Sequence, residues 1–487
     1  MDLHAQAFLL AALGAVLAFE FVNGFHDTAN AVATVIYTKS LPPRVAVAWS
    51  GCMNFLGVHI GGIAVAFAIV NLLPVELVVG AQTTQARAMI LALLTSAIVW
   101  NLLTWARGLP ASSSHALIGS IVGVGIANAW MRGLPLETGV NWAKIAEVAS
   151  ALLFSPMLGF IASALLLLAA RRWLRSPELH AAPRGDRPPP LPVRVSLWLT
   201  CTGVSLAHGS NDGQKGIGLV MLIVIGVLPG AYALDPHLDA ARVERAVQAT
   251  RTIEEVLARV PAGAGARDAT VASAALSLST APAAVPAPGA PAARPSVTPH
   301  AARVRALLGG AGDGAALSTE SRIAVRESVL RISAEVSAVE HRPRLELSAA
   351  DRERLRVAHR DLRALTDYAP EWVLMAVALA LGLGTMVGWK RIVVTVGEKI
   401  GKTHMTCAQG VTAELVAMGA IGLAGAAGMP VSTTHVLASG VAGTMAAQRS
   451  GLQTATLRSI ALAWIFTLPV CTLFAAVLFP LYCRVLR

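Results

Sequence analysis

Apolar residues run through this chain in long, nearly uninterrupted stretches, and polar residues break them at few places. Runs near or above the roughly 20 residues that span a bilayer cover about residues 6–25, 45–70, 86–106, 111–131, 143–170, 195–209, 215–233, 370–389, 407–427, 433–447 and 456–483. The pattern predicts an all-α polytopic membrane protein with about 10–12 transmembrane segments, the shorter runs being broken or re-entrant half-helices. Between 234 and 369 the pattern changes, so the chain divides into a first membrane block (1–233), a polar insert (234–369) and a second membrane block (370–487). Within the insert, Ile323, Val325, Val329, Ile332, Val336 and Val339 recur near helical spacing. Ser348-Ala-Ala-Asp351 is a cap signal ahead of a charged helix over 349–366. Residues 261–300 are Ala/Pro-rich, as in Thr280-Ala-Pro-Ala-Ala-Val-Pro-Ala-Pro-Gly289. Such a tract buries too little apolar surface to repay ordering and reads as a disordered linker. The insert as a whole reads as paired helices between spans, with no catalytic constellation.

Composition narrows the class further. Apolar residues make up 55% and charged residues 14% of the chain, against about 25% charged in soluble domains; the mean hydropathy is +0.61. A net charge of +11 would suggest nucleic acid for a soluble protein. Here the charge gathers between spans, with Arg171, Arg172, Arg175, Arg184, Arg187 and Arg194 in one loop, and no nucleic-acid-reading motif accompanies it. Basic short loops stay in the cytoplasm, which places 171–194 inside. Residues 1–25 lack the basic leading region of a cleavable signal, and Glu20 lies inside the apolar run, so they read as the first span. Cys52, Cys201, Cys407, Cys471 and Cys483 show no close pairing and read as small apolar residues of helices. No cofactor motif is present.

Two polar signatures occur twice. Pro110-Ala-Ser-Ser-Ser-His115 recurs as Pro430-Val-Ser-Thr-Thr-His435, each with a glycine two places before the proline (Gly108, Gly428) and another eight places after the histidine (Gly123, Gly443). Gly24-Phe-His-Asp27 is matched by Gly209-Ser-Asn-Asp212. Thr38-Lys39 aligns with Glu398-Lys399, and sixteen residues after each leading position stand Asn54 and Glu414. Paired, Gly/Pro-interrupted segments in two halves of a membrane chain point to an inverted-repeat transporter with its site at the repeat interface. The stretch from Asn54 to His115 is much longer than that from Glu414 to His435, so the first half carries extra helices there.

The residue types suggest the chemistry. A helix starting just after Pro110 or Pro430 would aim free N–H groups, hydroxyls and the positive end of its dipole at one point. Ser112, Ser113 and Ser114, with Ser432, Thr433 and Thr434, would then hold an oxyanion from two sides. Asp27 and Asp212 are costly inside apolar segments and are functional candidates for that reason. Asn23 and Asn30 neighbour the first acid; Asn211 and Gln214 neighbour the second. Bare carboxylates would repel an anion, so the arrangement works only if a cation mediates or a carboxyl carries a proton, which is the logic of symport. Lys215 is placed to neutralise Asp212. His115 and His435 titrate near neutral pH when free but read first as packing residues, and His26 and His208 occupy unmatched positions.

The chain resembles the inorganic phosphate transporter (PiT) family, and within it the bacterial low-affinity Pit type. The resemblance rests on Asn23-Gly-Phe-His-Asp-Thr-Ala-Asn-Ala-Val-Ala-Thr34, Gly108-Leu-Pro-Ala-Ser-Ser-Ser-His115, Ala207-His-Gly-Ser-Asn-Asp-Gly-Gln-Lys-Gly216 and Gly428-Met-Pro-Val-Ser-Thr-Thr-His435. It implies a multi-pass, secondary-active carrier of inorganic phosphate in a bacterial inner membrane, with a homo-oligomer compatible. It implies Asp27 and Asp212 in coupling or substrate binding, and the hydroxyl clusters Ser112, Ser113, Ser114, Ser432, Thr433 and Thr434 in phosphate binding. Together with the residue pattern, this gives Asp27, Asp212 and Glu414 as coupling-ion candidates and adds Asn30, Asn211 and Gln214 to the substrate-binding candidates. The Pit type implies proton symport, with neutral magnesium or calcium phosphate complexes as a carried form. Sodium-coupled relatives have a Glu where this chain has Asn54, which favours protons over sodium. Sulfate is the alternative substrate. A membrane enzyme acting on phosphate esters is a competing class, but no G-x-S-x-G elbow or recognisable triad is present. An anion channel is a third reading, which uphill accumulation would exclude.

Overall fold

The structure, a computed structural model, describes residues 3–63, 65–66, 83–140, 142–183, 187–259, 297–309, 317–340, 347–427 and 431–486. Expectations for Arg184, for residues 261–296 of the Ala/Pro tract and for Gly428 and Pro430 of the second motif lie outside the described residues. The described residues are helical apart from turns, loops and one isolated bridge between Gly401 and Leu452. The first block holds α1 (Leu3–Asp27), α2 (Ala29–Tyr37), α3 (Pro43–Ile60), α4 (Thr84–Ala106), α5 (Ser113–Met131), α6 (Trp142–Trp173) and α7 (Leu191–Val227). The insert holds α8 (Ala240–Ala258), α9 (Thr298–Leu308), α10 (Thr319–Glu340) and α11 (Ala349–Arg363). The second block holds α12 (Glu371–Met386), α13 (Lys390–Glu398), α14 (Cys407–Ala426), α15 (Thr433–Ala447) and α16 (Thr454–Val485).

Among the described residues, six helical stretches have the length and apolarity to cross a membrane: Leu3–Tyr37, Thr84–Ala106, Ser113–Met131, Leu153–Trp173, Cys407–Ala426 and Thr454–Val485. The pair α12 and α13, bent by 62° at its break, makes a seventh. Outward faces of α6 and α16 expose Leu153, Phe154, Leu158, Ile161, Ile465, Phe466, Leu473 and Val477, an apolar surface suited to lipid and not to water. The apolar runs 195–209 and 215–233 are not separate segments: α7 passes through both as one 37-residue helix. The polar residues between them do not end it, because helix backbone bonds are internal and their side chains find partners on neighbouring helices. In the first half, α4 is a helix that lies between Asn54 and His115, where the longer interval predicts an addition.

The glycines after the two histidines have a packing reason. A Cβ at Gly123 would collide with the Thr472 carbonyl oxygen, and one at Gly443 with that of Phe160. So α5 lies backbone-to-backbone on α16, and α15 on α6, the close approach that small residues permit between membrane helices. Each motif helix thereby packs on the long helix that follows the other motif.

The insert packs its own apolar core, including Val243, Ala246, Ile253, Val304, Val329, Ile332, Val336 and Leu362. Ser348 caps α11 by accepting from the Asp351 N–H at 3.0 Å. Arg326, 5% exposed, donates to the carbonyls of Ala233 (3.1 Å) and Thr366 (3.3 Å), which belong to the entering and leaving chain. Burial pushes this guanidinium down to about 10, which leaves it a cation at neutral pH.

At 1.5 Å per residue α7 is about 55 Å long, well beyond the roughly 30 Å hydrocarbon core. Its two ends therefore lie on opposite faces. The N-terminal end shares a face with other basic loops: Arg194 donates to Ser40 O (3.2 Å), Arg391 to Ala106 O (2.7 Å) and Gln448 to His180 O (3.3 Å). If the rule for basic loops places that face inside, the insert lies outside. With the five native cysteines replaced, Arg356→Cys on α11 is expected to react with a membrane-impermeant maleimide in intact cells. Arg172→Cys is expected to react only after permeabilisation. The reverse pattern would invert this orientation.

Candidate functional site

Polar side chains from five helices converge in the interior where α1 ends. Thr28 keeps helical dihedrals (φ −52°, ψ −37°), so α2 continues from α1 with little change of direction. Its hydroxyl donates to Gly24 O (2.7 Å) and Thr385 O (2.9 Å), which ties the joint to α12. On this element Asn23, Asp27 and Asn30 follow at spacings of four and three, so they share one helical face. All three are buried.

The motif helices reach that face by their first turns. Ser112 caps α5 by accepting from His115 N (3.3 Å), and Ser432 caps α15 by accepting from His435 N (3.2 Å), the same geometry in both copies. The two histidine rings stack with centroids 4.7 Å apart, and Trp464 stacks on His435 at 4.1 Å. The helix starts are thus brought together as the repeated sequence suggests. Ser113 donates to Asn23 Oδ1 (2.6 Å). Thr433 donates to Asp27 Oδ2 (3.4 Å), and Thr434 to Asp27 Oδ1. Asn30 donates to Asp27 Oδ1 (3.1 Å) and to both Thr433 and Thr434 hydroxyls (3.2 Å each). Ser114 is buried beside Ser113 in the chain. At 15 residues, α15 is about 22 Å long, too short to cross the hydrocarbon core, so its N-terminus and dipole end inside the molecule.

From the other side α7 presents His208, Asp212 and Lys215, all buried. Lys215 Nζ stands 2.6 Å from Asp212 Oδ2, so the expected neutralising pair is formed. His208 Nε2 stands 3.6 Å from Asp27 Oδ2 and 3.5 Å from Asp212 Oδ2. Its other nitrogen meets Asn54 Oδ1 at 3.0 Å. Asn54 in turn donates to Thr385 Oγ1 (2.9 Å), which fixes the amide and assigns the Nδ1 proton of His208. A proton on Nε2 would then stand between the two carboxylates. Asn54, singled out by the repeat alignment, thus acts by orienting a histidine. His26 lies on the far side, with Nδ1 at 4.0 Å from Asp27 and Nε2 at 3.1 Å from Thr104.

Several sequence-selected residues are placed elsewhere. Gln214 spends its oxygen on Val65 N (2.7 Å) and its amide on Ser210 O (2.6 Å), away from the acids. Asn23 pairs across the interface, with Asp212 Oδ2 at 3.4 Å, and not with Asp27. Asn211 is buried on α7. Glu414 lies one turn further along α2, where the hydroxyls of Thr34 and Thr200 both donate to it. Thr200 carries no signal in the sequence, being a lone hydroxyl in an apolar helix, and Thr34 enters there only as the last residue of the Asn23–Thr34 motif. Thr34 does continue the spacing of Asn23, Asp27 and Asn30.

Asp27, His208 and Asp212 offer donor atoms within 4.8 Å of one another. Lys215 already supplies a positive charge at Asp212, so the set suits protons better than a resident divalent metal. Asn30 Oδ1 and Asp212 Oδ1 are buried without a hydrogen-bond partner among the described residues. Buried polar groups are nearly always paired, and both of these atoms are acceptors, so what would complete them is a proton donor or a cation and not a bare anion.

Comparison with known proteins extends this picture. The profile of the phosphate transporter family matches residues 23–475. The low-affinity inorganic phosphate transporters PitA and PitB of Escherichia coli (strain K12) are similar over nearly the whole length. PitA is 42% identical, with 98% of this chain and 97% of the relative covered; PitB is 40% identical, with 96% and 95% covered. A probable low-affinity inorganic phosphate transporter of Bacillus subtilis (strain 168) is 27% identical over 95% of this chain and 93% of its own. A solved structure titled the sodium-dependent phosphate transporter shares the fold with a TM-score of 0.52 at 18% identity, covering 98% of both chains.

Proposed function

Because the chain belongs to the phosphate transporter family, a family of carriers and not of enzymes, we propose that it moves inorganic phosphate across a bacterial plasma membrane by proton symport. The observation that carries the reading is the meeting of two matched, hydroxyl-bearing helix starts with Asp27 and Asp212 in one buried place. Helix N-termini and hydroxyls suit a tetrahedral oxyanion. Carboxyls beside it accept that anion only with added positive charge. His208 between the acids, with Lys215 behind Asp212, supports protons as that charge. A neutral complex of phosphate with magnesium or calcium would meet the same requirement from the substrate side.

Sodium is the second reading, and one observation favours it. Glu414 with the hydroxyls of Thr34 and Thr200 forms an all-oxygen cluster, the donor type a hard cation takes. Uptake of labelled phosphate into proteoliposomes, with the pH gradient, sodium and magnesium varied separately, discriminates the two. Accumulation on a pH gradient without sodium supports proton symport; accumulation that needs a sodium gradient overturns it.

The hydroxyls are expected to bind the anion directly. A hydrogen bond to a charged group contributes about 1.5–3 kcal/mol, so Ser113→Ala and Thr433→Ala should each weaken phosphate binding roughly tenfold or more. Equilibrium binding on folded, purified protein measures this. Wild-type affinity in both variants would remove the helix starts from the site.

A further inference from the structure

Beyond the clustered site, α1 and α7 face each other along a buried polar seam that continues toward the insert side. On α1 and α2 the seam carries Glu20, Asn23, Asp27, Asn30 and Thr34 at spacings of three, four, three and four, a single helical face. On α7 it carries Lys215, Asp212, His208 and Thr200 in the opposite order. The rungs step in register: Glu20 lies against Gly216 next to Lys215, Asn23 against Asp212, and Asp27 against His208.

Glu20 has no part in the site described above, yet it is completely buried. Its Oε2 accepts from Asn23 Nδ2 at 3.4 Å, the same amide that reaches Asp212 Oδ2 at 3.4 Å. Its Oε1 is buried with no hydrogen-bond partner among the described residues. The charged groups acting on it, Lys215, Asp212 and His208, all come from α7. The other helices packed against α1 contribute apolar neighbours to the surrounding core, such as Met89 and Leu93 of α4 and Val377 and Leu381 of α12.

Charge counting gives this carboxyl a task. Glu20, Asp27 and Asp212 face one ammonium, Lys215, and two imidazoles, His208 and His26, the latter 4.0 Å from Asp27. Even with both rings charged, no positive charge is left over, and an unpaired charge inside the membrane is costly. An incoming anion therefore brings an unmatched negative charge. We propose that Glu20 is a second coupling carboxyl of the carrier. It binds a proton when phosphate occupies the site and returns it when phosphate leaves, on the insert side of Asp27. Seven residues along a helix separate the two acids by about 10 Å, so Glu20 acts on the substrate through the shared Asn23 and the Asp212–Lys215 pair and not by contact. The proton adds to a carboxylate oxygen and leaves it again within each cycle.

This inference rests on proton symport, and the test separates the two. Proton uptake on phosphate binding is measured with a pH indicator in weakly buffered detergent solution, alongside phosphate–phosphate exchange and pH-driven accumulation in proteoliposomes. Glu20→Gln imitates the protonated acid in shape and charge. It is expected to bind phosphate with about one proton fewer taken up, to keep exchange, and to lose pH-driven accumulation at least tenfold. Glu20→Asp, which still titrates, should recover the proton uptake; a purely structural Glu20 would give the opposite order, with Gln the milder change. If Glu20→Gln takes up as many protons as the wild type, Glu20 is not a coupling group although symport stands. If the wild type takes up none, the symport reading and this inference fall together.

Discussion

Replacement of Asp27 by asparagine is expected to abolish phosphate accumulation driven by a pH gradient, while leaving a folded protein that binds phosphate. Asp27 receives hydrogen bonds from Asn30, Thr433 and Thr434 and faces His208 Nε2 at 3.6 Å. An asparagine keeps the volume and one oxygen acceptor for those donors. It cannot gain or lose a proton, and it removes the negative charge that His208 faces. Binding should therefore survive, because a neutral side chain no longer repels the anion, whereas coupling should not. The check is labelled-phosphate accumulation against imposed pH gradient, with equilibrium binding on the same preparation. Full accumulation by Asp27→Asn would show that the coupling proton is held elsewhere.

The second large effect concerns stability. Lys215→Met should destabilise the protein by about 3–5 kcal/mol, the usual cost of stranding one member of a buried ion pair. Lys215 Nζ and Asp212 Oδ2 are 2.6 Å apart, and both side chains are 1% exposed. Removing the ammonium leaves Asp212 beside Asp27 and Glu20 with His208 at 3.5 Å from it and His26 beside Asp27. The double variant Lys215→Met/Asp212→Asn should recover most of the loss, since neither charge then remains. Thermal unfolding in detergent of the wild type, both single variants and the double variant gives the coupling energy directly. Additive losses would mean that the pair is not an energetic unit. The double variant also bears on function: it is expected to be folded yet deficient in coupled uptake, which separates the stabilising part of the pair from its transport part.

Much of the carrier is legible along the chain because local patterns carry it. Apolar run length specifies membrane helices, since every backbone group in a bilayer must be satisfied within the element. The doubled Pro-Ser and Gly-Asp signatures mark the helix starts and acids that do converge, and the cap at Ser348 sits where the sequence puts it. The partners of those residues are less legible. Asn23 lies four residues from Asp27 but reaches Asp212, 189 residues away. Gln214, two residues from Asp212, turns to Val65 and Ser210. Glu20 in the sequence is only a polar interruption of the first span.

The difference has one physical source. Helix periodicity, capping and hydrophobic length act over a few residues, so the sequence by itself determined an all-helical membrane chain, its repeated hydroxyl-bearing helix starts and the acids Asp27 and Asp212 placed near them. Which polar faces meet depends on how helices cross and in what register, and that is decided by packing between distant segments. Gly123 against Thr472 and Gly443 against Phe160 set two of those crossings by backbone contact. Only the tertiary structure, with α7 unbroken through 37 residues, could align Glu20, Asn23 and Asp27 with Lys215, Asp212 and His208.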